Sequence, residues 1–156
     1  VMEIERRWKI AGFPENLPMV RQAQMRQGYI ATAPVVRIRT DGVRYVLCFK
    51  GKGTLAREEI ESDIDKDLFC RLEAFIAKPL VSKDYRVYAL PDGRKLEVSL
   101  VDADLPTRFF YAEVEFDSVE EAQAYTPPAD IGLLEEMTED RSFSMSAYWK
   151  RTRGEG

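Results

Sequence analysis

Apolar and charged side chains alternate in two-residue steps along much of this chain, which is the spacing of β-strands. The first such segment is 2–10, with Ile4, Trp8 and Ile10 between charged residues. Further strand segments are predicted at 24–32, 35–40, 43–50, 57–62, 85–90, 95–101 and 109–116. Asp41-Gly42 and Asp92-Gly93 separate neighbouring segments, and Asp-Gly is a strong signal for a β-hairpin turn.

Helical spacing replaces the alternation in three places. Apolar residues recur every three or four positions over 64–77, which predicts an amphipathic helix that Pro79 ends. Ser118 followed by Glu121 forms a capping box and predicts a second, short helix. The stretch up to 149 is predicted to be partly helical, and 151–156 to be a frayed tail. Without an internal linker, the chain is predicted to be one domain, 1–156, of the α+β class and dominated by β-strands.

The polar face of each predicted strand is almost entirely charged. Residues on one face share two-residue spacing: Glu3, Glu5 and Arg7; Arg37 and Arg39; Arg57, Glu59 and Glu61; Glu113 and Glu115. An antiparallel sheet with one face in water explains such alternation without any function. A merely solvated face, however, is normally rich in Thr, Ser and Gln as well.

A second interpretation is that the sheet closes into a barrel and the charged faces line its interior. Interior charges need partners or a ligand, because desolvating them is unfavourable. Arginine and lysine suit phosphate oxygens, and clustered glutamates are oxygen ligands for Mg²⁺ or Mn²⁺. The pattern therefore indicates a site for a polyanion and a divalent cation.

Composition narrows the chemistry further. The 156 residues include no histidine, which excludes Ser/His and Cys/His dyads and histidine-containing zinc sites. Two cysteines, Cys48 and Cys70, are too few for a disulfide framework and suggest free thiols in a reducing compartment. With no apolar run of about 20 residues and no secretory pattern, we expect a cytoplasmic protein without a membrane partner.

Several segments together resemble the CYTH, or triphosphate tunnel metalloenzyme, family in its bacterial single-domain form. Glu3-Ile4-Glu5-Arg6-Arg7 is similar to the family's opening ExExK signature. The similarity continues in order along nearly the whole chain: Gln27-Gly28-Tyr29, Arg37-Ile38-Arg39, Phe49-Lys50-Gly51, Arg57-Glu58-Glu59-Ile60-Glu61, Arg86, Glu97, Ala112-Glu113-Val114-Glu115 and Met137-Thr138-Glu139-Asp140-Arg141-Ser142-Phe143.

The resemblance implies an eight-stranded, closed antiparallel β-barrel with peripheral helices, a triphosphate tunnel that binds Mg²⁺ or Mn²⁺. By position, it implies metal ligands at Glu3, Glu5 and Glu115, and catalytic roles for Arg7, Glu5 and Glu61. The implied phosphate-binding residues are Arg37, Arg39, Lys50, Arg57 and Arg86. Glu59, Glu97 and Glu113 are further candidates for the site.

Three positions depart from the family pattern. Arg7 replaces the signature lysine, which puts any role of that lysine in activating water in doubt. Ser99 stands where an acidic residue is expected two places after Glu97. Asp84 stands where a lysine is expected two places before Arg86, and the adjacent Lys83 is expected to face elsewhere.

Hydrolysis of a small triphosphate is the leading interpretation, with inorganic triphosphate first and nucleoside or thiamine triphosphate next. The alternative from another class is a module that binds polyphosphate or nucleotide without turnover. An adenylate cyclase ranks lower, because no segment identifies a pocket for the ribose. The net charge of −4 argues against a nucleic-acid binder, and a homodimer stays open.

Overall fold

The computed structural model describes residues 1–154, and these form nine β-strands, three α-helices and one short 3-10 helix. The strands are β1 (Met2–Ile10), β2 (Met19–Thr32), β3 (Val35–Thr40), β4 (Tyr45–Lys50), β5 (Ala56–Ile64), β6 (Val81–Ala89), β7 (Lys95–Val101), β8 (Phe109–Glu115) and β9 (Leu133–Glu136). The helices are α1 (Lys66–Ile76), α2 (Val119–Ala124) and α3 (Met145–Arg153), with the 3-10 helix at Arg141–Phe143.

The first eight strands close into an antiparallel barrel. Neighbouring strands pair in the order β5-β4-β3-β2-β6-β7-β8-β1, and β5 then pairs with β1. That last pairing is short: it joins Met2–Ile4 to 56–58. From Glu5 onward β1 pairs with β8, and its end also pairs with β9. The predicted eight-stranded closed barrel is therefore confirmed, with β9 as an additional strand outside the ring.

The hydrophobic core lies outside the barrel wall, because even-numbered residues of β1 and β8 face outward and odd-numbered ones inward. One cluster joins Trp8, Leu96, Val98 and Val114 to Ala122 of α2. A second cluster lies at one end of the barrel, where α3 packs against Tyr29 and Tyr111. Most of the interior of the barrel is left to charged side chains, and Tyr29 and Tyr111 line it at the end where α3 packs. Among the helices of residues 1–154, none has the length and apolar character needed to cross a bilayer.

Local signals explain the turns and helix starts. Gly42 has a φ of 91°, and Asp41 Oδ1 accepts hydrogen bonds from the backbone N–H groups of Val43 and Arg44. Ser118 Oγ accepts from the Glu121 N–H at the start of α2. Asp-Gly and the capping residue therefore mark the ends of elements as predicted.

Three expected boundaries were wrong, and one strand was missed. Strands β2 and β6 begin at Met19 and Val81, several residues before the predicted starts, and β9 was not predicted. The expected frayed tail is a helix as far as Arg153, because the Arg153 guanidinium bonds the buried Asp102 carboxylate at 2.7 Å. Residues 155 and 156 of that expected tail lie outside the described residues.

Candidate functional site

The barrel encloses a cavity of about 180 Å³ whose lining is mostly charged. Seven carboxylates and seven cationic side chains face it. The carboxylates are Glu3, Glu5, Glu59, Glu61, Glu97, Glu113 and Glu115, and the cations are Arg7, Arg21, Arg37, Arg39, Lys50, Arg57 and Lys83. Every residue predicted for the site lines this cavity except Arg86.

The two signs of charge are separated around the ring. All seven carboxylates lie on the contiguous strands β7, β8, β1 and β5, which we call the acidic wall. The opposite strands, β6, β2, β3 and β4, contribute five of the cations and no carboxylate to the cavity, and we call them the cationic wall. Any molecule in the cavity therefore meets oxygen ligands on one side and positive charge on the other.

Three carboxylates of the acidic wall converge. Glu3, Glu5 and Glu115 each have a carboxylate oxygen that lies within 4.8 Å of an oxygen of both other residues. Glu5 and Glu115 are register partners across β1 and β8, and Glu3 lies two residues before Glu5 on the same face. Strand pairing and two-residue alternation together explain why these three residues meet.

Burial and mutual repulsion make this carboxylate cluster unfavourable by itself. Burial, followed by the charges of Glu113 and Glu3, raises the pKa of Glu5 well above its ordinary value. Burial and the charges of Glu113 and Glu115 likewise raise the pKa of Glu97 to about 7. A bound cation would offset this repulsion.

These residues fit a divalent metal ion. Carboxylate oxygens are the donors that Mg²⁺ and Mn²⁺ prefer, and three of them converge here from two adjacent strands. A second group, Cys48 with Glu59 and Glu61, has similar separations. There, however, one of the three donors is a thiol, which Mg²⁺ and Mn²⁺ do not prefer, and burial raises the pKa of Cys48.

Most cations of the cavity are held by carboxylates. Lys50 Nζ donates to Glu3 Oε1 at 2.9 Å, and Arg57 Nε is 3.7 Å from the same oxygen. Arg7 donates to Glu113 through Nε at 3.1 Å and through a terminal nitrogen at 2.9 Å, and also contacts Glu5 at 3.3 Å. Arg7 therefore links two carboxylates of the acidic wall. Because its guanidinium stays protonated, it acts there as a fixed positive charge and not as a proton donor or acceptor.

Arg37 and Lys83 are different. Both are buried, and neither forms an ion pair with any carboxylate among residues 1–154. Arg37 Nε has no hydrogen-bond partner there, and Lys83 Nζ donates to the Tyr111 hydroxyl at 2.5 Å. Burial, together with repulsion by Arg37, lowers the pKa of Lys83 to about 7. Two buried cations without counter-charges are a site prepared for an anion.

Arg86 is outside the cavity, contrary to the prediction that it grips phosphate. Its guanidinium bonds Asp84 at 3.0 Å and lies 3.7 Å above the Phe13 ring on the outer face of the barrel. The pairing of Val87 with Glu97, and of Lys83 with Val101, turns odd-numbered residues of β6 inward. Lys83 thus faces the cavity and Asp84 does not, which reverses the orientation expected for these two residues.

Sequence reasoning also missed Arg21 and Tyr85. Arg21 lies on the early part of β2 that was not predicted, and it bonds Asp41 at 2.7 Å. Tyr85 lines the cavity and donates a hydrogen bond to Glu97. The available signal was the hairpin between β6 and β7. Glu97 faces inward, so its register partner Val87 lies on the same face of the sheet. Two-residue alternation then places Tyr85 and Lys83 on that face as well.

A wider crevice of about 820 Å³ adjoins the cavity where β1 and the β4–β5 connection separate. Residues shared by the linings of the crevice and the cavity are Glu5, Arg7, Val35, Lys50, Arg57, Ser144 and Ser146. These residues form the neck between the crevice and the interior.

No model of a known protein family matches the chain. An inorganic triphosphatase from Nitrosomonas europaea is 34% identical over 148 residues, which span 93% of this chain and 95% of that protein. The crystal structure of an inorganic triphosphatase has a TM-score of 0.67 at 32% identity, covering 95% of this chain and 94% of its own.

More distant structures have the same fold. A conserved hypothetical protein from Pyrococcus furiosus has a TM-score of 0.56 at 25% identity over 78% of this chain and 83% of its own. A putative adenylyl cyclase from Hippeastrum with a dominant triphosphatase activity has a TM-score of 0.53 at 15% identity, over 78% of this chain and 82% of its own. The resemblance found in the sequence is thus confirmed, and the chain belongs to the CYTH, or triphosphate tunnel metalloenzyme, family.

Proposed function

We propose that the protein hydrolyses inorganic triphosphate in a reaction that depends on Mg²⁺ or Mn²⁺. The observation that carries this proposal is the division of the cavity into an acidic wall and a cationic wall with two buried cations lacking counter-charges. A triphosphate is a compact polyanion, and a metal ion is its usual partner in phosphoryl transfer. The 34% identical relative, an inorganic triphosphatase, supports the choice of substrate.

The metal would be held by Glu3, Glu5 and Glu115, whose oxygens converge on the acidic wall. When bound, it supplies positive charge that neutralises phosphate oxygens and orients a water molecule. Burial and neighbouring carboxylates raise the pKa of Glu5, and this carboxyl would ionise more readily beside a bound cation.

The cationic wall binds and orients the phosphates in this proposal. Arg37 and Lys83 contact the anion first, because they have no carboxylate to release. Arg39, Lys50 and Arg57 exchange their carboxylate contacts for phosphate oxygens. The pKa of Lys83 is about 7 in the free cavity, and the negative charge of a bound anion favours its protonated form.

Arg7, Glu5 and Glu61 are proposed to act in the chemical step. Arg7 keeps its charge at every physiological pH and stabilises the charge that develops during cleavage. Glu61 lies at the less buried end of the acidic wall, where it accepts a hydrogen bond from Arg39 at 3.0 Å. Once Arg39 binds phosphate instead, the Glu61 carboxylate can accept a proton from the attacking water.

The test is orthophosphate release from inorganic triphosphate, ATP and thiamine triphosphate, each with Mg²⁺, Mn²⁺ or EDTA. We expect metal-dependent release that is fastest from inorganic triphosphate and is lost in Glu3→Gln and Glu115→Gln. Glu120→Gln, on the exposed face of α2, is the matched control and should retain full activity. Absence of release in the wild type, with thermal stabilisation by triphosphate, would replace hydrolysis by binding without turnover.

We also propose a cytoplasmic location. Cys48 and Cys70 are both free thiols, which is typical of proteins in a reducing compartment.

A further inference from the structure

The first turn of α3 lies at the neck of the cavity. Ser144 is the N-cap residue, and its Oγ accepts a hydrogen bond from the Ala147 N–H at 3.2 Å. The first N–H groups of a helix have no acceptor within it, so those of Met145 and Ser146 remain for a ligand or water. Ser144, Met145 and Ser146 all line the charged cavity, although α3 was predicted only as a partly helical stretch.

A second, independent observation points to an anion at the same place. Arg37 is only 6% exposed, its Nε has no partner, and it lines the same cavity as the α3 turn. Tyr29 is the register partner of Arg37, and its ring lies 5.6 Å from that of Trp149 in α3. Met145, the first residue of α3, belongs to the same hydrophobic cluster as Tyr29. Arg37 and the helix start therefore lie toward the same end of the cavity.

The other end of α3 is fixed to the barrel. The buried Asp102 carboxylate accepts hydrogen bonds from Tyr148 at 2.6 Å, from Arg153 at 2.7 Å and from the Ser82 N–H at 3.0 Å. Asp102 belongs to the connection between β7 and β8. This anchor holds the helix axis in place, so that the first turn keeps its position at the neck without help from a ligand.

Given the triphosphate function proposed above, on which this inference rests, we propose that the first turn of α3 is a phosphate subsite. The N–H groups of Met145 and Ser146 and the guanidinium of Arg37 bind one phosphoryl group there. A helix start offers directed N–H donors and a partial positive charge, the usual features of phosphate binding by backbone. The subsite holds the phosphoryl group that lies against the cationic wall, whereas the acidic wall takes the group nearest the metal.

The subsite also limits the substrate. A phosphoryl group without a substituent offers more oxygens and more negative charge to the α3 turn and Arg37, so a free terminal phosphate is favoured over an esterified one. Inorganic triphosphate has such a group at both ends and a nucleoside triphosphate at one end only, which favours the inorganic substrate.

Ser146→Asp and Ser146→Asn form the matched pair that tests this subsite. Aspartate in the first turn favours the helix but repels phosphate, whereas asparagine has nearly the same shape without the charge. At a separation of about 5 Å, near a protein surface, one added charge weakens binding about a hundredfold. We expect that loss in Ser146→Asp and a loss of at most about fivefold in Ser146→Asn, which retains the backbone N–H groups.

Affinity is measured by calorimetric titration of inorganic triphosphate in EDTA, and KM by phosphate release in Mg²⁺. Gln123→Glu adds one charge to the exposed face of α2 and should change neither quantity. Thermal unfolding of Ser146→Asp should occur at or above the wild-type temperature. If that variant fails to fold, Ala147→Asp and Ala147→Asn provide the same contrast on the next residue of the turn.

Equal affinities of Ser146→Asp and Ser146→Asn would overturn the subsite while leaving triphosphate hydrolysis intact. A wild type that neither binds nor cleaves triphosphate would instead overturn the proposed function and the subsite with it. Loss of ATP discrimination in Ser146→Asp, together with weaker triphosphate binding, would support the role of the α3 turn in substrate choice.

Discussion

Replacing Lys83 by methionine should make the protein more stable and its site weaker. Lys83 is buried on the cationic wall, and within residues 1–154 its only hydrogen bond is to the Tyr111 hydroxyl. Methionine has a similar length and no charge. The substitution therefore removes an uncompensated buried cation while nearly filling the same volume.

The magnitude follows from proton linkage. Burial, with repulsion from Arg37, lowers the pKa of Lys83 from 10.5 to about 7. At pH 7 the unfolded chain holds this proton and the folded protein holds it half the time, which lowers the free energy of unfolding by about 4 kcal/mol. Loss of the hydrogen bond to Tyr111 reverses about 1 kcal/mol of that. We expect a net gain of about 3 kcal/mol, or a rise in Tm of about 8 °C.

The sign of the pH dependence is specific to a lysine with a lowered pKa. Between about pH 7 and pH 10.5, the unfolded wild type binds one proton more than the folded protein, so its stability rises with pH. The advantage of Lys83→Met therefore shrinks by about 1.4 kcal/mol per pH unit over this range. Urea denaturation at pH 7, 8 and 9, with the exposed Lys95→Met as control, measures this trend.

Two results would refute this reasoning. A Lys83→Met protein that is less stable than wild type at pH 7 would mean that the buried ammonium has a counter-charge in solution. A stability difference that does not change between pH 7 and pH 9 would mean that Lys83 keeps an ordinary pKa. In either case the cationic wall would not be prepared for an anion in the way proposed.

Three further predictions follow from the site and its supports. Glu3→Gln combined with Glu5→Gln should abolish metal-dependent phosphate release while the protein still folds, because loss of the Lys50–Glu3 ion pair is partly offset by removal of the unfavourable Glu5 charge; melting curves and activity are measured together. Arg86→Ala should leave KM within about twofold of wild type, since its side chain lies outside the cavity, and a tenfold rise would contradict the register of β6. Asp102→Asn should lower the free energy of unfolding by about 3 kcal/mol at pH 7, because it leaves the Arg153 charge buried without a partner. Although burial acts to raise it, hydrogen bonds from Arg153 and other donors lower the pKa of Asp102, so urea titration should show its contribution present at neutral pH and lost as acid protonates the folded carboxyl.

The sequence was sufficient for most strands and for the inward face of most of them. Two-residue alternation placed Glu3, Glu5 and Arg7 on one face, and the structure has all three lining the cavity. Closure into a barrel was harder to predict, because the pairing of β1 with β8 and β5 joins distant segments. That part depended on the resemblance to a known family.

The error at β6 shows where pattern reasoning reached its limit. In Lys83-Asp84-Tyr85-Arg86, charged residues occupy both faces of the strand, so alternation cannot say which face is inside. The register of β6 against β7 decides which face is inside. The outward residues Asp84 and Arg86 are stabilised by their ion pair and by the contact of Arg86 with Phe13, not by apolar burial. The position of Ser146 on the cavity lining was equally hidden, since a serine near a helix start usually indicates only a cap.

The short pairing of β1 with β5 has a consequence for how the site forms. Residues 2–4 pair with 56–58, which are at a moderate separation along the chain, whereas Glu5 pairs with Glu115, which lies 110 positions further along. Contacts between such distant residues are slow to form and come late in folding. During synthesis, one edge of β1 therefore lacks its final partner until β8 has been synthesised. The three converging carboxylates are assembled only in that closing step, so the chain cannot gather a metal ion at this site before the barrel is complete.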